Sequence, residues 1–524
     1  MPTASPPAPP PPPPAPPAWP PPPPPLPRVN WLEPAVRPGP MALVAVVAGG
    51  VTADLAVRSG WAGAGGALLV FALAAGLIAF GLGPYRDGTR VSWQALALAG
   101  CAPLFGVWLA LRTSPWLLPL DTLAAFGLLG LAAMLARSGS LADLGVSRLT
   151  VKAAQAVAAT VTAPALVVTA LGGGRQESPG RQARRKVTLA VLSGLLLSVP
   201  VIVVFGALLA SADPVFASFF DPATMLGHAT LLAIGAWIAG GLLRTATVKP
   251  APVGPPSFHW LGPAEVLVVL AAIDLLFGAF AAAQLVALGD GGRRVLETAG
   301  LTWAEYARSG FFQLLAVASM TVVVLLCLRG WTRPGGPGGR WVSILGIITL
   351  ALTMVMVVVA FRRLGLYIDE FGLTMLRLFS LLFTVWIGVV LVLFALVLVP
   401  RAGRGRAWCG PAALGTGLVL LLAINVADPE TLVVEHNRDA AVRIERYDDG
   451  YTYQLSDDAV PTVLGTLDKL TPAERAEALE SVAWCQGAVS THQPSHRGWA
   501  AWNWSRARAQ TARDEACRRW AGQG

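Results

Sequence analysis

Long apolar stretches separated by short polar connections dominate the chain from residue 41 to residue 426. The hydrocarbon core of a bilayer is about 30 Å thick, so a helix needs about 20 apolar residues to cross it. The stretches with roughly that length are Met41–Val57, Trp61–Leu82, Val91–Leu111, Trp116–Ala136, Val187–Ala210, Met225–Leu243, Pro263–Leu288, Phe311–Leu328, Trp341–Phe361, Leu376–Val399 and Trp408–Val426. The pattern predicts an all-α fold, a polytopic transmembrane helical bundle of about 11 spans.

Two polar features modify this pattern. The segment Gln155–Leu171 is apolar, but polar side chains and Pro164 interrupt it, so we predict that it lies in the interface or re-enters the membrane. Thr302 and Glu305 form a capping box just before the eighth predicted span. A helix is therefore expected to start near Trp303 and to continue into that span.

The two ends of the chain differ from the bundle. Residues 1–40 hold 21 of the 43 prolines and predict a disordered, proline-rich tail. Residues 427–524 are polar, and Thr471 to Glu474 form a capping box for a helix to about Gln486. A second helix is expected from Ala501 to Trp520, and Ser456-Asp457-Asp458 is expected to cap a shorter one that ends near Leu467. The sequence thus predicts a small helical C-terminal domain.

The basic residues between the spans indicate the orientation. If the N-terminus is cytoplasmic, 20 Lys and Arg residues lie inside and 7 outside, as the positive-inside rule requires. The C-terminal domain is then extracytoplasmic. We expect a multi-pass protein of the plasma (inner) membrane. Counting Gln155–Leu171 as a span would reverse every later helix and put eight Lys and Arg residues on the wrong side.

Composition supports a membrane protein and excludes a nucleic-acid binder. The chain is 54% hydrophobic and 13% charged, with a mean hydropathy of +0.59. Its net charge of +9 divides into +13 for residues 1–427 and −4 for residues 428–524. Neither part carries a basic patch with interleaved aromatic residues, so no nucleic acid is expected.

Charged and amide side chains inside the spans are candidates for an intramembrane site. Asp274 lies about 16 Å along the seventh predicted span, near the middle of the bilayer, where a charged carboxylate costs about 3 kcal/mol. Gln284 follows on the same helix, and Asp54 and Asp121 are possible companions nearer to span ends. The group could be a proton or ion site, or Asp274 could be a protonated acid that bonds a neighbouring helix.

A second candidate is a platform at the outer face for an anionic ligand, a lipid headgroup or a partner. Its members would gather at span ends under the predicted topology. They are Glu305, Tyr306, Arg308, Arg362, Arg363, Tyr367, Asp369, Glu370 and Arg377. The alternative is that these residues are interfacial anchors and mutual ion pairs.

The cysteines predict one covalent bond. Cys101, Cys327 and Cys409 lie in or beside spans, whereas Cys485 and Cys517 lie on predicted helices of the outer domain, where oxidation is possible. We expect a disulfide between these two. Zinc binding with His492 and His496 is disfavoured by Pro494, and no motif for a catalytic site, metal or cofactor is present, so we expect no cofactor.

Several ordered motifs together resemble one family. They are LLASADPVF (Leu208–Phe216), YARSGFFQL (Tyr306–Leu314), LGLYIDEFGLTMLRL (Leu364–Leu378), EHNRD (Glu435–Asp439), LSDDAVP (Leu455–Pro461) and WNWSRARA (Trp502–Ala509). The chain from about Lys186 to Ala509 resembles an uncharacterised "domain of unknown function" family of bacterial multi-pass membrane proteins. The resemblance implies a membrane protein and no substrate, cofactor or catalytic residue.

Three functions follow as hypotheses. The leading one is a non-enzymatic envelope or signalling scaffold that presents the outer domain. The second is a secondary transporter, a proton- or ion-coupled permease that uses Asp274. The third is a membrane enzyme that acts on lipid at the outer face. The expected partners are the lipid bilayer and a protein that binds the outer domain or the proline-rich tail.

Overall fold

The chain forms a helical bundle followed by a small, mainly helical C-terminal region. A computed structural model describes residues 41–82, 92–137, 140–141, 146–164, 205, 222–248, 261–288, 310–331, 339–398, 408–444, 449–493 and 498–520. The bundle helices are α1 (Ala42–Arg58), α2 (Ala64–Gly76), α3 (Trp93–Leu111), α4 (Leu117–Leu135), α5 (Val146–Val161), α6 (Pro222–Thr247), α7 (Pro263–Leu288), α8 (Phe311–Trp331), α9 (Gly339–Phe371), α10 (Met375–Leu398) and α11 (Cys409–Ala427).

Nine helices within the described ranges are long and apolar enough to cross a membrane. They are α3, α4, α6 to α11, and α2 together with the π-helical turn Leu77–Gly81 that extends it. Nine of the eleven predicted spans are thereby confirmed. The first predicted span corresponds to α1, which has 17 residues and is not among these nine helices. The fifth, Val187–Ala210, lies outside the described residues except for Phe205, and the helix start predicted near Trp303 also lies outside them.

The helix α5 occupies part of the segment predicted to be interfacial. It begins at Val146, nine residues before the predicted segment, and it ends at Val161. The rest of the predicted segment, from residue 165, lies outside the described residues. Placement of α5 in the interface stays a prediction.

Glycines allow α1 and α6 to approach each other closely. A Cβ atom at Gly49 would lie 2.6 Å from the Ala239 Cβ, and one at Gly235 would lie 2.4 Å from the Ala53 Cβ. Small residues at such a crossing bring helix backbones into van der Waals contact, which is a main source of helix association in a bilayer. We infer that close backbone packing at these glycines holds α1 and α6 together.

The helix α9 is longer than the predicted span Trp341–Phe361. It has 33 residues, or about 50 Å at 1.5 Å per residue, and it ends at Phe371 just before Gly372, whose φ is +75°. The predicted end at Phe361 was wrong because Leu364 and Ile368 continue the buried face that Ala360 belongs to. The last turns of α9 therefore carry Arg362 to Glu370 on a helix rather than on a loop.

The C-terminal region, residues 428–520, has its own hydrophobic core. Its elements are α12 (Pro429–Ile444), α13 (Asp449–Tyr453), α14 (Val460–Leu464), α15 (Pro472–Ala478), β1 (Cys485–Gln486), β2 (Val489–Ser490) and α16 (Trp504–Trp520). Val434, Val463, Val482, Ala509 and Cys517 are among the residues buried between them. The region is thus mainly helical, as predicted.

Three details of this region differ from the sequence prediction. The capping box of Thr471 and Glu474 is confirmed, but α15 ends at Ala478 and a π-helical turn leads to Trp484, whose φ of +50° stops the helix. The antiparallel hairpin of β1 and β2 occupies the remainder of the predicted helix. The helix α16 begins at Trp504, three residues after the predicted start, behind a 3-10 turn at Trp499–Ala501.

The predicted cap at Ser456-Asp457-Asp458 was wrong. Ala459 is the N-cap of α14, and it makes no side-chain cap bond. The Asp457 carboxylate instead pairs with Arg513, and the Asp458 carboxylate bonds the bundle. Longer-range partners therefore replace the local cap.

Candidate functional site: the junction between bundle and C-terminal region

The C-terminal region packs against one end of the bundle, where the α1–α2, α3–α4 and α9–α10 loops lie. The backbone amide of Ala64 donates to the Trp502 carbonyl over 2.9 Å. The Asn437 side chain accepts from the Leu373 amide over 2.6 Å and donates to the Leu373 carbonyl over 2.8 Å. The Tyr451 hydroxyl accepts from the Met375 amide over 2.7 Å. Two separate loops, α1–α2 and α9–α10, are therefore bonded to the same region. Asp458 bonds the α3–α4 loop as well, and we call this whole surface the junction.

Asp458 is a central acceptor of the junction. Its carboxylate accepts from the Thr113 amide and hydroxyl, both over 3.0 Å, and from the Ser114 amide over 3.1 Å. Asp458 is only 4% exposed. The Ser114 carbonyl in turn accepts from the amides of Leu117 and Leu118 at the start of α4. A carboxylate from the C-terminal region thus binds the backbone amides of the loop whose Ser114 carbonyl caps the first amides of α4.

Arg112 joins the α3–α4 loop to the end of α11. Its guanidinium donates to the Asn425 carbonyl over 3.1 and 2.7 Å and forms an ion pair with Asp428. The Asn425 side chain donates to Asp121 on α4 over 2.8 Å, and both residues are fully buried. Asp428 has a left-handed backbone, with φ +58°, and it separates α11 from α12. Short polar side chains tolerate that conformation, which turns the chain into the C-terminal region.

Asn503 closes the same loop from the other side. Its side-chain amide donates to the carbonyl of Leu109 over 3.2 Å and to that of Arg112 over 2.9 Å. The last carbonyls of a helix have no partner within the helix. Asn503 therefore binds the end of α3, whereas Asp458 binds the loop that leads into α4.

Glu430 is a buried acid beside these contacts. It is 1% exposed, and its carboxylate accepts from the amide and the hydroxyl of Ser456, each over 2.7 Å. Burial, together with the nearby charge of Asp458, raises the pKa of Glu430 to about 7, against the effect of the Ser456 hydrogen bonds. Burial also raises the pKa of Asp458. The junction thus holds two acids whose charged forms are disfavoured.

The residues predicted as an intramembrane site have separate partners. Asp54 on α1 contacts Arg58 over 2.9 Å and His228 on α6 over 2.6 Å. Asp121 bonds Asn425, as described above. Asp274 on α7 accepts from the Thr349 hydroxyl on α9 over 2.6 Å, while Gln284 accepts from Arg363 over 3.1 Å. These contacts distribute the candidates over different helix pairs rather than one cluster.

The platform predicted at the outer face is only partly within the described residues. Glu305, Tyr306 and Arg308 lie outside them. Arg362, Asp369 and Glu370 are exposed on α9, and Arg363 donates to Gln284. Arg377 donates to the carbonyls of Phe371 over 2.8 Å and of Gly372, and it lies 4.1 Å from the centre of the Tyr367 ring. Arg363 and Arg377 thus bind groups of the chain itself.

The cysteines of the C-terminal region form the pair expected from the sequence. Cys485 and Cys517 are joined by a disulfide, with Cα atoms 5.3 Å apart. Cys101, Cys327 and Cys409 carry free thiols. Within the described ranges, no three His, Cys, Asp or Glu residues are grouped so that they could hold a metal ion. His496 lies outside those ranges.

The fold and the apolar helices define a polytopic helical membrane protein. The model of a family described as a domain of unknown function, DUF4153, matches residues 99–465, and the chain belongs to that family. The match starts earlier than the expected Lys186 and ends before the WNWSRARA motif. No curated protein and no solved structure gives a significant match.

Sequence reasoning did not single out Arg112, Asn425 or Asn503 as junction residues. Arg112 and Asn425 lie beside span ends, where polar residues are common and carry no specific signal. Asn503 lies in the WNWSRARA motif, which indicated a family but no partner. Their partners are hundreds of positions away; Arg112 and Asp428 are separated by 316 residues. The spacing of Arg506 and Arg513 was one usable signal. They are seven residues apart, so they share the face of α16 that also carries Ala509.

Proposed function

We propose that this membrane protein is a non-enzymatic scaffold that holds its C-terminal region at the extracytoplasmic face of the inner membrane for a partner in the envelope. The observation that carries the proposal is the junction. A region tethered only through residue 427 could rotate freely, whereas contacts to three loops fix its orientation. A fixed orientation favours presentation of a surface to a partner, because less ordering is needed on binding.

Exposed tryptophans also support this arrangement. Trp499 is 64% exposed, and Trp502 and Trp504 are each 49% exposed. The Trp502 carbonyl bonds Ala64 at the first residue of α2, so this group lies close to the end of a span. Tryptophan favours the headgroup layer of a bilayer. We infer that these side chains anchor the C-terminal region on the membrane surface.

A coupled transporter is the second candidate, because one observation favours it. The Oδ2 atom of Asp274 is buried and makes no hydrogen bond within the described residues. A buried carboxyl oxygen without a partner is costly when charged, so it could exchange a proton. No observation favours the lipid enzyme, since Arg363 and Arg377 bind groups of the chain itself, and we do not propose it.

Complementation of a deletion strain distinguishes the two candidates. The variants are Asp274→Asn, the junction variant Arg112→Gln with Asp458→Asn, and the exposed control Asp468→Asn, all in the full chain. The scaffold predicts that the junction variant fails although it reaches the membrane in normal amount, while Asp274→Asn and the control complement fully. Loss of complementation in Asp274→Asn, with an active junction variant, would refute the scaffold and favour transport.

A further inference from the structure

A cavity of about 420 Å³ lies between the C-terminal region and the loops of the bundle. Ala62 and Thr113 contribute from the α1–α2 and α3–α4 loops, and the remaining lining residues belong to the C-terminal region. Three of these, Ser481, Trp484 and Gln493, are exposed, so the cavity reaches the surface between them. Sites for small molecules have volumes of about 300–1,000 Å³. The cavity is therefore large enough for a small organic ligand.

Arg513 is a buried cation in the wall of this cavity and is only 5% exposed. Its Nε donates to the Val482 carbonyl over 3.0 Å, and its Nη2 pairs with Asp457 over 2.8 Å. Its Nη1 is buried and has no hydrogen-bond partner among the described residues. A buried guanidinium N–H without an acceptor is costly. A ligand with an anionic oxygen would remove that cost.

His492 contributes a second unused polar atom to the same wall. Its Nδ1 is buried and has no hydrogen-bond partner in the described part of the chain, and its ring stacks on Trp484 with centroids 4.3 Å apart. Burial, followed by the nearby Arg513 charge, lowers the pKa of His492, so the neutral imidazole is favoured. The Nδ1 atom of a neutral ring can either donate one hydrogen bond to a ligand or accept one from it.

The charges around the cavity favour an anion. Arg506 and Arg513 line it, and Asp457 is the one acidic residue among the described lining residues. Arg506 donates to the carbonyls of Ala501 over 2.8 Å and of Ala62 over 3.3 Å. Neither acceptor is a carboxylate, so these contacts do not neutralise its positive charge. The lining thus carries an excess of positive charge.

Part of the remaining wall is apolar. Leu455, Val460 and Val463 line it together with the ring of Trp484. Such a wall stabilises a ligand by removing apolar surface from water. A simple inorganic ion would leave this surface without a contact.

From these contacts we propose that the cavity binds a small amphipathic anion, with its carboxylate or phosphate group at Arg513 and its apolar part against Val460 and Val463. Because the bundle loops form part of the wall, the anion could be a soluble organic acid or phosphate ester, or the headgroup of a membrane lipid. The shared chemistry is an oxyanion beside an apolar group. The proposal is independent of the scaffold function.

The test measures binding to the full chain in phosphatidylcholine nanodiscs by isothermal titration calorimetry. The probe is phenyl phosphate, with benzyl alcohol as the neutral comparison. The variants are Arg513→Gln and Arg506→Gln. Arg519→Gln on the same helix is the control, since its side chain is 66% exposed and is not among the described lining residues. Hydrogen exchange of the C-terminal region checks that each variant is folded.

We expect saturable binding of phenyl phosphate and none of benzyl alcohol. Loss of a charge-assisted hydrogen bond should raise the dissociation constant about ten- to a hundredfold in Arg513→Gln, with a smaller rise in Arg506→Gln and none in Arg519→Gln. If Arg513→Gln does not fold, Arg506→Gln carries the comparison. Absence of saturable binding at millimolar concentration, or equal affinity of the folded Arg513, Arg506 and Arg519 variants, would overturn the proposal.

A second arm identifies the source of the anion. The titration is repeated in nanodiscs that contain phosphatidylglycerol. Competition with phenyl phosphate supports the site and assigns it to a lipid headgroup, whereas unchanged affinity supports the site and assigns it to a soluble anion. Phosphatidylglycerol and the Arg519→Gln substitution could each abolish the binding of phenyl phosphate to the same extent. That result would contradict a specific site, because general charge repulsion would explain both losses.

Discussion

The carboxylate of Asp458 accepts a hydrogen bond from the backbone amide of Ser114 over 3.1 Å, although the two residues are 344 positions apart. The bond joins a bundle loop to the C-terminal region. Because Asp458 also accepts from Thr113, both of its oxygens are used. The attachment of the α3–α4 loop to the C-terminal region should therefore depend strongly on this side chain.

Asp458→Asn is expected to weaken the junction. An amide has one acceptor oxygen, so one of the two backbone amides loses its partner, and the expected cost is about 1–3 kcal/mol. Hydrogen exchange at Thr113 and Ser114 should become faster. Asp468→Asn is the matched control, since Asp468 forms an exposed pair with Arg519 and should contribute less than about 1 kcal/mol. Equal exchange in the two variants would show that Asp458 does not hold the loop.

Glu430→Gln should stabilise the C-terminal region above neutral pH, whereas Asp458→Asn weakens the junction. The pKa of Glu430 is raised from 4.5 to about 7, so the folded state binds more protons than the unfolded state between these values. Stability conferred by the neutral acid is therefore full below pH 4.5 and is lost as the pH rises to 7, by up to about 3 kcal/mol. The glutamine variant should be more stable than the wild type at pH 8 and should depend less on pH.

Thermal unfolding of the C-terminal region at pH 5 and pH 8 measures this effect. Burial also raises the pKa of Asp458, so part of the pH dependence should remain in Glu430→Gln. A wild type that is more stable at pH 8 than at pH 5 would contradict the assigned direction.

The disulfide should stabilise the C-terminal region. Cys485 and Cys517 are separated by 32 residues, and closing a loop of that size stabilises a fold by about 3–4 kcal/mol in the chain-entropy model. Cys517→Ala should lower the unfolding temperature of this region, whereas Cys101→Ala, at an exposed free thiol, should not. Non-reducing peptide mapping, with alkylation before lysis, should recover the linked peptides. Two free thiols in the wild type would refute the bond.

The sequence predicted the bundle well and the junction poorly, for a physical reason. Apolar length is a local property, and it located nine helices of span length. The end of α9 was misplaced because two arginines were taken as a boundary, although Leu364 and Ile368 continue its buried face. The junction depends on pairs such as Arg112 and Asp428 that are distant in the chain. No local pattern indicates which polar residues at span ends will meet.

The predicted orientation can be tested independently. The charge bias of 20 to 7 requires a cytoplasmic N-terminus and an outer C-terminus. A green fluorescent protein fused after Gly524 should be dark, because it does not fold after export, while the same reporter before Met1 should fluoresce. Bright C-terminal fusions of normal abundance would place this region in the cytoplasm and rule out the extracytoplasmic scaffold.

The orientation of the C-terminal region depends on its attachment to the bundle, and a cysteine pair tests that attachment directly. The Thr113 and Ser456 hydroxyl oxygens lie 3.2 Å apart. With Cys101, Cys327 and Cys409 replaced by alanine, Thr113→Cys with Ser456→Cys should form a bond quantitatively when isolated membranes are oxidised. Ser343→Cys with Ser456→Cys is the control, because Ser343 lies near the opposite end of α9 from the junction. Efficient cross-linking in the first pair alone is the predicted result, and absence of the Thr113–Ser456 cross-link, or equal cross-linking in both pairs, would contradict the junction.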